Sequence, residues 1–491
     1  MNTLTLRGTA LAPSLTALLA ALLAALLAGC SLAPPYERPA MDVPAHWQTE
    51  APWRAAQPAD DAPKGPWWQR FNDPQLDRLM VQALRENQSL KVVVSNLEQA
   101  QALTRVARAS LLPQVTASTS GARLRTSADR PLSSYSSPTM STVQNDFVVR
   151  ADVSYEADLF GRVRGNIANA AASEEQTAAN LENVRLLLAA QVATTWYSLR
   201  ETDAEIDVVQ QGLALQRKAL DFVSSRHQDG VASGLDLAQQ QALVDSTATQ
   251  AELLQKQRTQ YEHALATLVG TPAPAFHLAP APLAGQPPVI PVALPSDVIE
   301  RRPDVAAAER GAAAANASVG VARAAFFPSI MLNGGAGWES RDLALLFSAP
   351  SLLWSFGTQI AQTVFDAGRT RARVDFANAG YQGAIANYRQ TVLGALQEVE
   401  DGLSGLQALD RAAAQARASV ESARKVYDIA SARYEGGLAT SLDVITAQQS
   451  LLNNQRTAVQ ILGQQLTTSV FLVKAVGGDW NHPAEPPTAR R

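Results

Sequence analysis

Residues 226–236 read RHQDGVASGLD and residues 433–443 read RYEGGLATSLD, and the two align without a gap. Arg226 falls on Arg433, Gly230 on Gly437, Leu235 on Leu442 and Asp236 on Asp443. Upstream, ASLLPQV at 109–115 aligns with AAFFPSI at 324–330, placing Pro113 on Pro328. Between these marks, DLFGR at 158–162 is echoed by FDAGR at 365–369. Landmarks repeated in one order identify an internal duplication, so the chain folds as two copies of one supersecondary unit. A Pro-rich segment from Thr271 to Pro295 separates the copies and reads as a linker.

Both copies have one element order. In the first, Leu76, Leu79, Ala83, Leu90, Val94, Leu97 and Leu103 lie close to one stripe, predicting a helix over Gln75–Ser110 that Pro113 ends. Gln114–Arg125 is rich in Thr, Ser and Val and reads as extended. After a loop holding Pro131 and Pro138, Val143–Phe160 alternates. Phe147, Val149, Ala151, Val153 and Tyr155 take one face, and Arg150, Asp152, Ser154, Glu156 and Asp158 the other. The second copy repeats the pattern with Ile330, Leu332, Gly334, Ala336 and Trp338, then Leu352, Trp354, Phe356, Thr358 and Ile360. A soluble sheet with one wet face alternates in the same way. However, interfacial aromatics and strands long enough for an apolar band of about 25 Å suit a membrane barrel. Four strands cannot close one, since membrane barrels start at about eight. A barrel shared among three copies has twelve.

Gly161–Asp229 and Gly368–Gly436 contain no Pro. At 1.5 Å per residue each predicts a helix of about 100 Å, far beyond the mean of about 11–12 residues. Ile385, Tyr388, Val392, Ala395, Val399, Leu403 and Leu406 form a coiled-coil seam, and small residues such as Ala412–Ala414, Ala416 and Ser419 let flanking helices approach closely. A plain coiled-coil rod would show such helices too, but it explains neither the strands nor the duplication.

The amino terminus carries one charge, Arg7, followed by a Leu/Ala run to Ala28 and then Gly29-Cys30. This is the layout of a secretory signal, ending at the only cysteine of 491 residues. A lone Cys is often a small buried hydrophobe, and an uncleaved anchor is the other alternative, but the position before the Pro-rich stretch SLAPPYERP favours a lipidated Cys30. Net charge is −4, so no basic excess points to nucleic acid. His46, His227, His263, His277 and His482 are scattered, without metal-ligand spacing, and no catalytic motif is present, so no metal, other cofactor or catalytic residue is expected. Past the signal no run of about 18 apolar residues exists for a membrane helix. The chain is expected to divide into a signal peptide (1–29), an acylated anchor segment (30–74), a first repeat (75–271), a linker (272–296), a second repeat (297–477) and a tail (478–491).

Gly230-Val-Ala-Ser-Gly234 and Gly436-Gly-Leu-Ala-Thr440 reverse the long helices. Gly supplies the left-handed helix end, and Ser233 or Thr440/Ser441 can cap the next helix. Asp236 and Asp443 follow as favourable dipole partners of a helix start, or, repeated around an axis, as anionic rings. Asp152, Glu156 and Asp158 are expected to face a water-filled lumen.

Taken in order, CSLAPPYERP from Cys30, WWQRFNDPQL from Trp67, RRPDV from Arg301 and the paired R-x-x-x-G…LD turns resemble the outer-membrane efflux protein family of TolC-like channels, within it the OprM- and NodT-type lipoproteins. The resemblance spans nearly all of the chain after Cys30. It implies a mainly α homotrimer with a twelve-stranded membrane β-barrel and a long α-helical barrel crossing the periplasm. It further implies a periplasmic membrane-fusion adaptor and an inner-membrane pump of the resistance-nodulation-division type as partners, with passive export of drugs, aromatic compounds or metal ions. By family match, Gly230, Val231, Ser233, Gly437, Leu438 and Thr440 are the tip positions that adaptors contact. Asp443 is the ring residue of a periplasmic gate, with Tyr434 in its closed-state network and Asp236 on the neighbouring coil. Thr446 and Ala439 stand where relatives often carry a second acid and an arginine. The Arg302-Pro303-Asp304 mark reads as helix-start chemistry. Two rival classes predict different features: a periplasmic adaptor needs an unduplicated chain with a lipoyl-like or small β-barrel domain, and a lipoprotein enzyme needs a catalytic constellation.

Overall fold

A computed structural model of the chain describes residues 34–41, 43–44, 65–125, 127, 143–283, 285, 287–288, 295, 298 and 301–478. Cys30, the preceding signal segment, His46, the Pro131/Pro138 loop and the tail beyond 478, including His482, lie outside the described residues. Seven helices and four strands are used below: α1 (Pro74–Glu86), α2 (Gln88–Ala109), β1 (Gln114–Arg125), β2 (Val143–Glu156), α3 (Arg162–Gln228), α4 (Gly234–Leu268), α5 (Pro303–Ala324), β3 (Ser329–Ser340), β4 (Leu352–Ala361), α6 (Arg369–Glu435) and α7 (Ser441–Ala475).

The duplication is exact in length along its helical hairpins. α3 and α6 both have 67 residues, and α4 and α7 both have 35. The chemistry at the helix ends is duplicated as well. Asn87, before α2, donates to the Leu268 carbonyl at the end of α4 (2.9 Å), and Arg302, before α5, donates to the matching Ala475 carbonyl at the end of α7 (3.0 Å). Gly270 and Gly477, at φ +73° and +86°, follow those ends, where a Cβ would meet the backbone oxygens of Glu86 and Arg301.

The described residues fall into two compact units, one within 1–39, 98–176 and 309–387, the other within 40–97, 177–308 and 388–491. The first holds the antiparallel sheet β1-β2-β3-β4. Its register puts Val149 beside Trp338 and Trp338 beside Leu352, then Ala151 beside Ala336 and Ala336 beside Trp354. Paired residues share a face, so these rows form an apolar surface. The opposite face carries Arg150, Asp152, Ser154 and Asn333. Trp354 and Phe356 are 76% and 77% exposed in the single chain. The sheet ends at β1 and β4, whose outer edges have no strand partner among the described residues.

The second unit has its main core where Trp67, Trp68 and Phe71 pack with Leu76 and Met80 of α1, Val192, Trp196 and Tyr197 of α3, Leu265 of α4 and Leu466 and Val470 of α7. Asp73 links cap and core: Oδ1 accepts from the Gln75 and Leu76 amides at the start of α1, and Oδ2 accepts from Trp196 Nε1 at 2.7 Å. The WWQRFNDPQL mark is therefore a core-and-cap module. The predicted seam is the buried side of α6, with Tyr388, Val392, Ala395, Val399 and Leu403 inside.

Three local expectations are corrected. The helix over Gln75–Ser110 is two helices, because Asn87 is extended (φ −60°, ψ 124°) and its side chain accepts from the Leu90 amide, starting α2 afresh. Leu103 is 65% exposed in the single chain and not in the core. β2 ends at Glu156 rather than Phe160, since Asp158 and the left-handed Gly161 (φ +77°) turn the chain into α3.

Candidate functional site

The reversals at Gly230 and Gly437 are built alike. Gly230 and Gly437 adopt φ of +76° and +74°, a conformation that costs a Cβ-bearing residue roughly 1–2 kcal/mol. The Val231 amide donates to Arg226 O (2.8 Å) and the Leu438 amide to Arg433 O (2.7 Å), closing both helix ends with the same six-residue bond. Val231 and Leu438 are left 64% and 73% exposed.

Each following helix opens on a capping box. The Ser233 amide and Oγ donate to Asp236 Oδ2 at 3.0 and 2.7 Å, and the Asp236 amide donates back to Ser233 Oγ at 3.1 Å. Thr440 and Asp443 repeat this, with the Thr440 amide and Oγ1 donating to Asp443 Oδ2 at 2.8 and 2.7 Å. The dipole-partner reading of both acids is thus realised, with the side chain at the third helical position bonding the cap. Of the two candidates at 440 and 441, Thr440 is the cap.

Ser441 instead reaches across. Its Oγ donates to Asp236 Oδ1, tying the α7 start to the α4 start. Arg226 makes a second bridge, with Nη1 donating to the Tyr434 carbonyl (3.5 Å) and its guanidinium 5.3 Å from the Tyr434 ring and 5.7 Å from Phe222. The structure therefore brings Asp236 and Tyr434 together into the contact between the two hairpins, whereas Asp443 is exposed and keeps to its own box. The Ser441 and Ser233 hydroxyls hold the Asp236 carboxyl below the usual carboxylate range, and the Thr440 hydroxyl and amide do the same for Asp443. Both are anions at neutral pH. Burial raises the Tyr434 phenol despite the nearby Arg226.

Arg226, Phe222 and Ser441 carry this contact; Arg226 and Phe222 had no role from sequence, and Ser441 was read there only as a possible cap. Arg226 was visible only as a repeat-matched residue. Its pseudo-equivalent Arg433 instead donates to its own Leu438 carbonyl (3.3 Å), a divergence that appears only in three dimensions.

In the other unit the three acids at the end of β2 all have arginine partners. Asp152 pairs with Arg150 across the space left by Gly335, where a Cβ would collide with the carboxylate. Glu156 pairs with Arg162, and Asp158 accepts from the Arg164 amide at 2.9 Å and from its guanidinium at 3.2 Å. Among the described residues no cluster of three potential metal ligands exists, and no helix is long and apolar enough to cross a membrane.

A model of the outer membrane efflux protein family matches residues 79–271 and 294–478. The chain is 34% identical over 455 residues to the probable efflux pump outer membrane protein TtgC of Pseudomonas putida, covering 92% of this chain and 93% of that one. It is also 34% identical over 462 residues to outer membrane protein OprJ of Pseudomonas aeruginosa, covering 92% and 93%. Among solved structures, the outer-membrane channel OprN superposes with a TM-score of 0.83 at 26% identity, over 92% of this chain and 100% of that one. The open-state MtrE outer membrane channel of Neisseria gonorrhoeae gives 0.79 at 29% identity, over 91% and 98%. With duplicated hairpins, a four-stranded amphipathic sheet and these likenesses together, the chain belongs to the outer membrane efflux protein family of TolC-like channels and is not an enzyme.

Proposed function

We propose that three copies of this chain close a twelve-stranded barrel and serve as the exit duct of a tripartite efflux system, exporting small molecules passively. The observation that carries this reading is the sheet: one apolar face, one polar face, and two edges at β1 and β4 without strand partners among the described residues. In hydrocarbon every backbone group needs a partner, so such a sheet is stable there only when its edges meet those of other copies. Cys30 carries diacylglycerol in this reading, adding an anchor of roughly 0.8 kcal/mol per buried CH₂. Asp152, Glu156 and Asp158 line the lumen with their arginines, as a mixed rather than purely anionic lining.

A membrane-fusion adaptor, serving a pump of the resistance-nodulation-division type, docks on the tips at Gly230, Val231, Ser233, Gly437, Leu438 and Thr440. Ser233 and Thr440 already spend their hydroxyls on capping, so the exposed Val231 and Leu438 side chains supply the contact area. Asp443, exposed and ionised, forms the gate ring, and the Asp236–Ser441 and Arg226–Tyr434 bridges hold the hairpins in the closed arrangement. Substrates fall among drugs, aromatic compounds and metal ions, and the lack of Met or His clusters disfavours a dedicated copper or silver path.

Single-channel recording in planar bilayers tests this. Asp443→Ala is expected to raise conductance and weaken block by divalent cations, while Thr440→Ala, which breaks the same cap but keeps the charge, leaves the block intact. If Thr440→Ala reproduces the effect, Asp443 is a cap and not a gate.

A further inference from the structure

On α3, away from the tips, Glu201 faces α7 at Gly463. A Cβ built on Gly463 would lie 2.2 Å from Glu201 Oε2 and 2.4 Å from Cδ, so the carboxyl fills the space a side chain would occupy. One turn along α3, Glu205 is buried and takes the local cation and amide donor. Arg456 Nη2 of α7 lies 2.5 Å from Glu205 Oε1, and Gln460 Nε2 donates to it at 3.2 Å. The other charges around this stretch are committed elsewhere. Arg200 of α3 and Arg258 of α4 bind Asp203, Glu262 of α4 binds Arg258, and Asp410 of α6 accepts from Gln465. Among the described residues, no cation or hydrogen-bond donor reaches Glu201.

The α3–α7 seam is poorly satisfied beyond this point too. Toward the tips, Gly212 lets Leu452 approach to 3.0 Å of its Cβ position. One turn further on each helix stand the buried Gln216 and Gln448. Among the described residues, neither polar side-chain atom of Gln216 nor Oε1 of Gln448 has a hydrogen-bond partner. Side chains here pack through small residues and incomplete polar contacts, so an added charge meets little compensation.

We propose that Glu201 is a proton-sensitive latch between the two repeats: neutral, it packs into the Gly463 notch and closes α3 on α7; ionised, it is repelled by Glu205 and loosens that contact. The two carboxylates, one turn apart with one arginine between them, cannot both be compensated. Burial, and after it the Glu205 charge, push the Glu201 carboxyl up to about 7. Because the folded chain then binds this proton more tightly than the unfolded chain, stability from the contact is complete below the ordinary carboxylate range. It declines as pH rises, and the decline is finished above about pH 7.

The test is the pH dependence of thermal unfolding of the full-length protein in detergent, from pH 4 to 9, for wild type, Glu201→Gln and Gly463→Ala. Glu201→Gln is isosteric and permanently neutral. The wild-type minus Glu201→Gln difference in Tm is expected to fall as pH rises, wild type becoming the less stable of the two, and to level off near pH 7. In Gly463→Ala the new methyl displaces the flexible carboxyl toward solvent, and the levelling moves down toward the ordinary carboxylate range. A pH-independent offset between wild type and Glu201→Gln, or a Gly463→Ala profile that still levels near 7, overturns the proposal.

Discussion

Asp203 offers a sharp test of what holds the linker to the first repeat. Its carboxylate is 2% exposed and sits between two buried guanidinium groups, accepting from Arg200 Nη1 and Arg258 Nε, both at 2.6 Å. The same arginines reach the linker backbone, Arg200 at Ala279 O (2.9 Å) and Arg258 at Leu278 O (2.6 Å), while Glu262 accepts from the Leu278 amide (2.6 Å). Asp203→Ala leaves two buried cations with one carboxylate, Glu262, which pairs with Arg258 and not with Arg200. Removing one member of such a network costs about 3–5 kcal/mol. The duplication supplies an internal control. Asp410 occupies the equivalent place in the second repeat but is exposed and accepts only from the neutral Gln465 amide, at 2.7 Å, so Asp410→Ala is expected to cost roughly 1 kcal/mol or less. An unfolding entropy of about 2.1 cal/mol/K per residue amounts to roughly 1 kcal/mol/K for a chain of 491 residues, so Asp203→Ala lowers Tm by only about 3–5 °C if the chain unfolds as one unit. Limited proteolysis at 271–283 is therefore the more sensitive assay, since the clamp acts on that segment directly. Faster linker cleavage in Asp203→Ala, with Asp410→Ala cutting like wild type, is the expected result. Equal cleavage and equal Tm in the two variants would refute the argument that the buried charges hold the linker.

Glycine substitutions separate conformational cost from collision. Gly437→Ala has open space around the new Cβ and is expected to lose roughly 1–2 kcal/mol from its positive φ alone; Gly270→Ala adds a Cβ 2.6 Å from the Glu86 carbonyl oxygen and should lose clearly more in denaturant melts, so equal losses count against the close approach. Cys30→Ser is expected to abolish incorporation of labelled palmitate while leaving a detergent-extracted trimer that still conducts. A water-soluble monomer without conductance would sink the barrel reading.

Much of the fold was legible because two periodicities and a repeat are local properties. Alternation over 143–156 and 329–340 marked the strands, the lack of Pro over 162–228 and 369–435 marked the long helices, and repeat-matched glycines marked the reversals. The helix break at Asn87 was not legible, because an Asn inside an apolar stripe costs little by propensity, and the bond to the distant Leu268 carbonyl that adds to its local cap on the Leu90 amide is a tertiary contact. The tips show the same division. The spacing Ser233-x-x-Asp236 and Thr440-x-x-Asp443 is a local signal, and both capping boxes form. That Ser441 serves Asp236 and that Arg226, not Arg433, crosses to Tyr434 depends on residues some 205 positions apart.

Sequence by itself determined that this chain is two copies of a strand-pair and helical-hairpin unit, because duplication and hydrophobic period act over short range. Tertiary structure alone decided where the copies differ: an Arg–Asp–Arg clamp against an exposed Asp–Gln pair, and a carboxyl at Glu201 set into a glycine notch with no cation beside it among the described residues. The energy of a charge depends on what surrounds it, and here those surroundings come from distant parts of the chain.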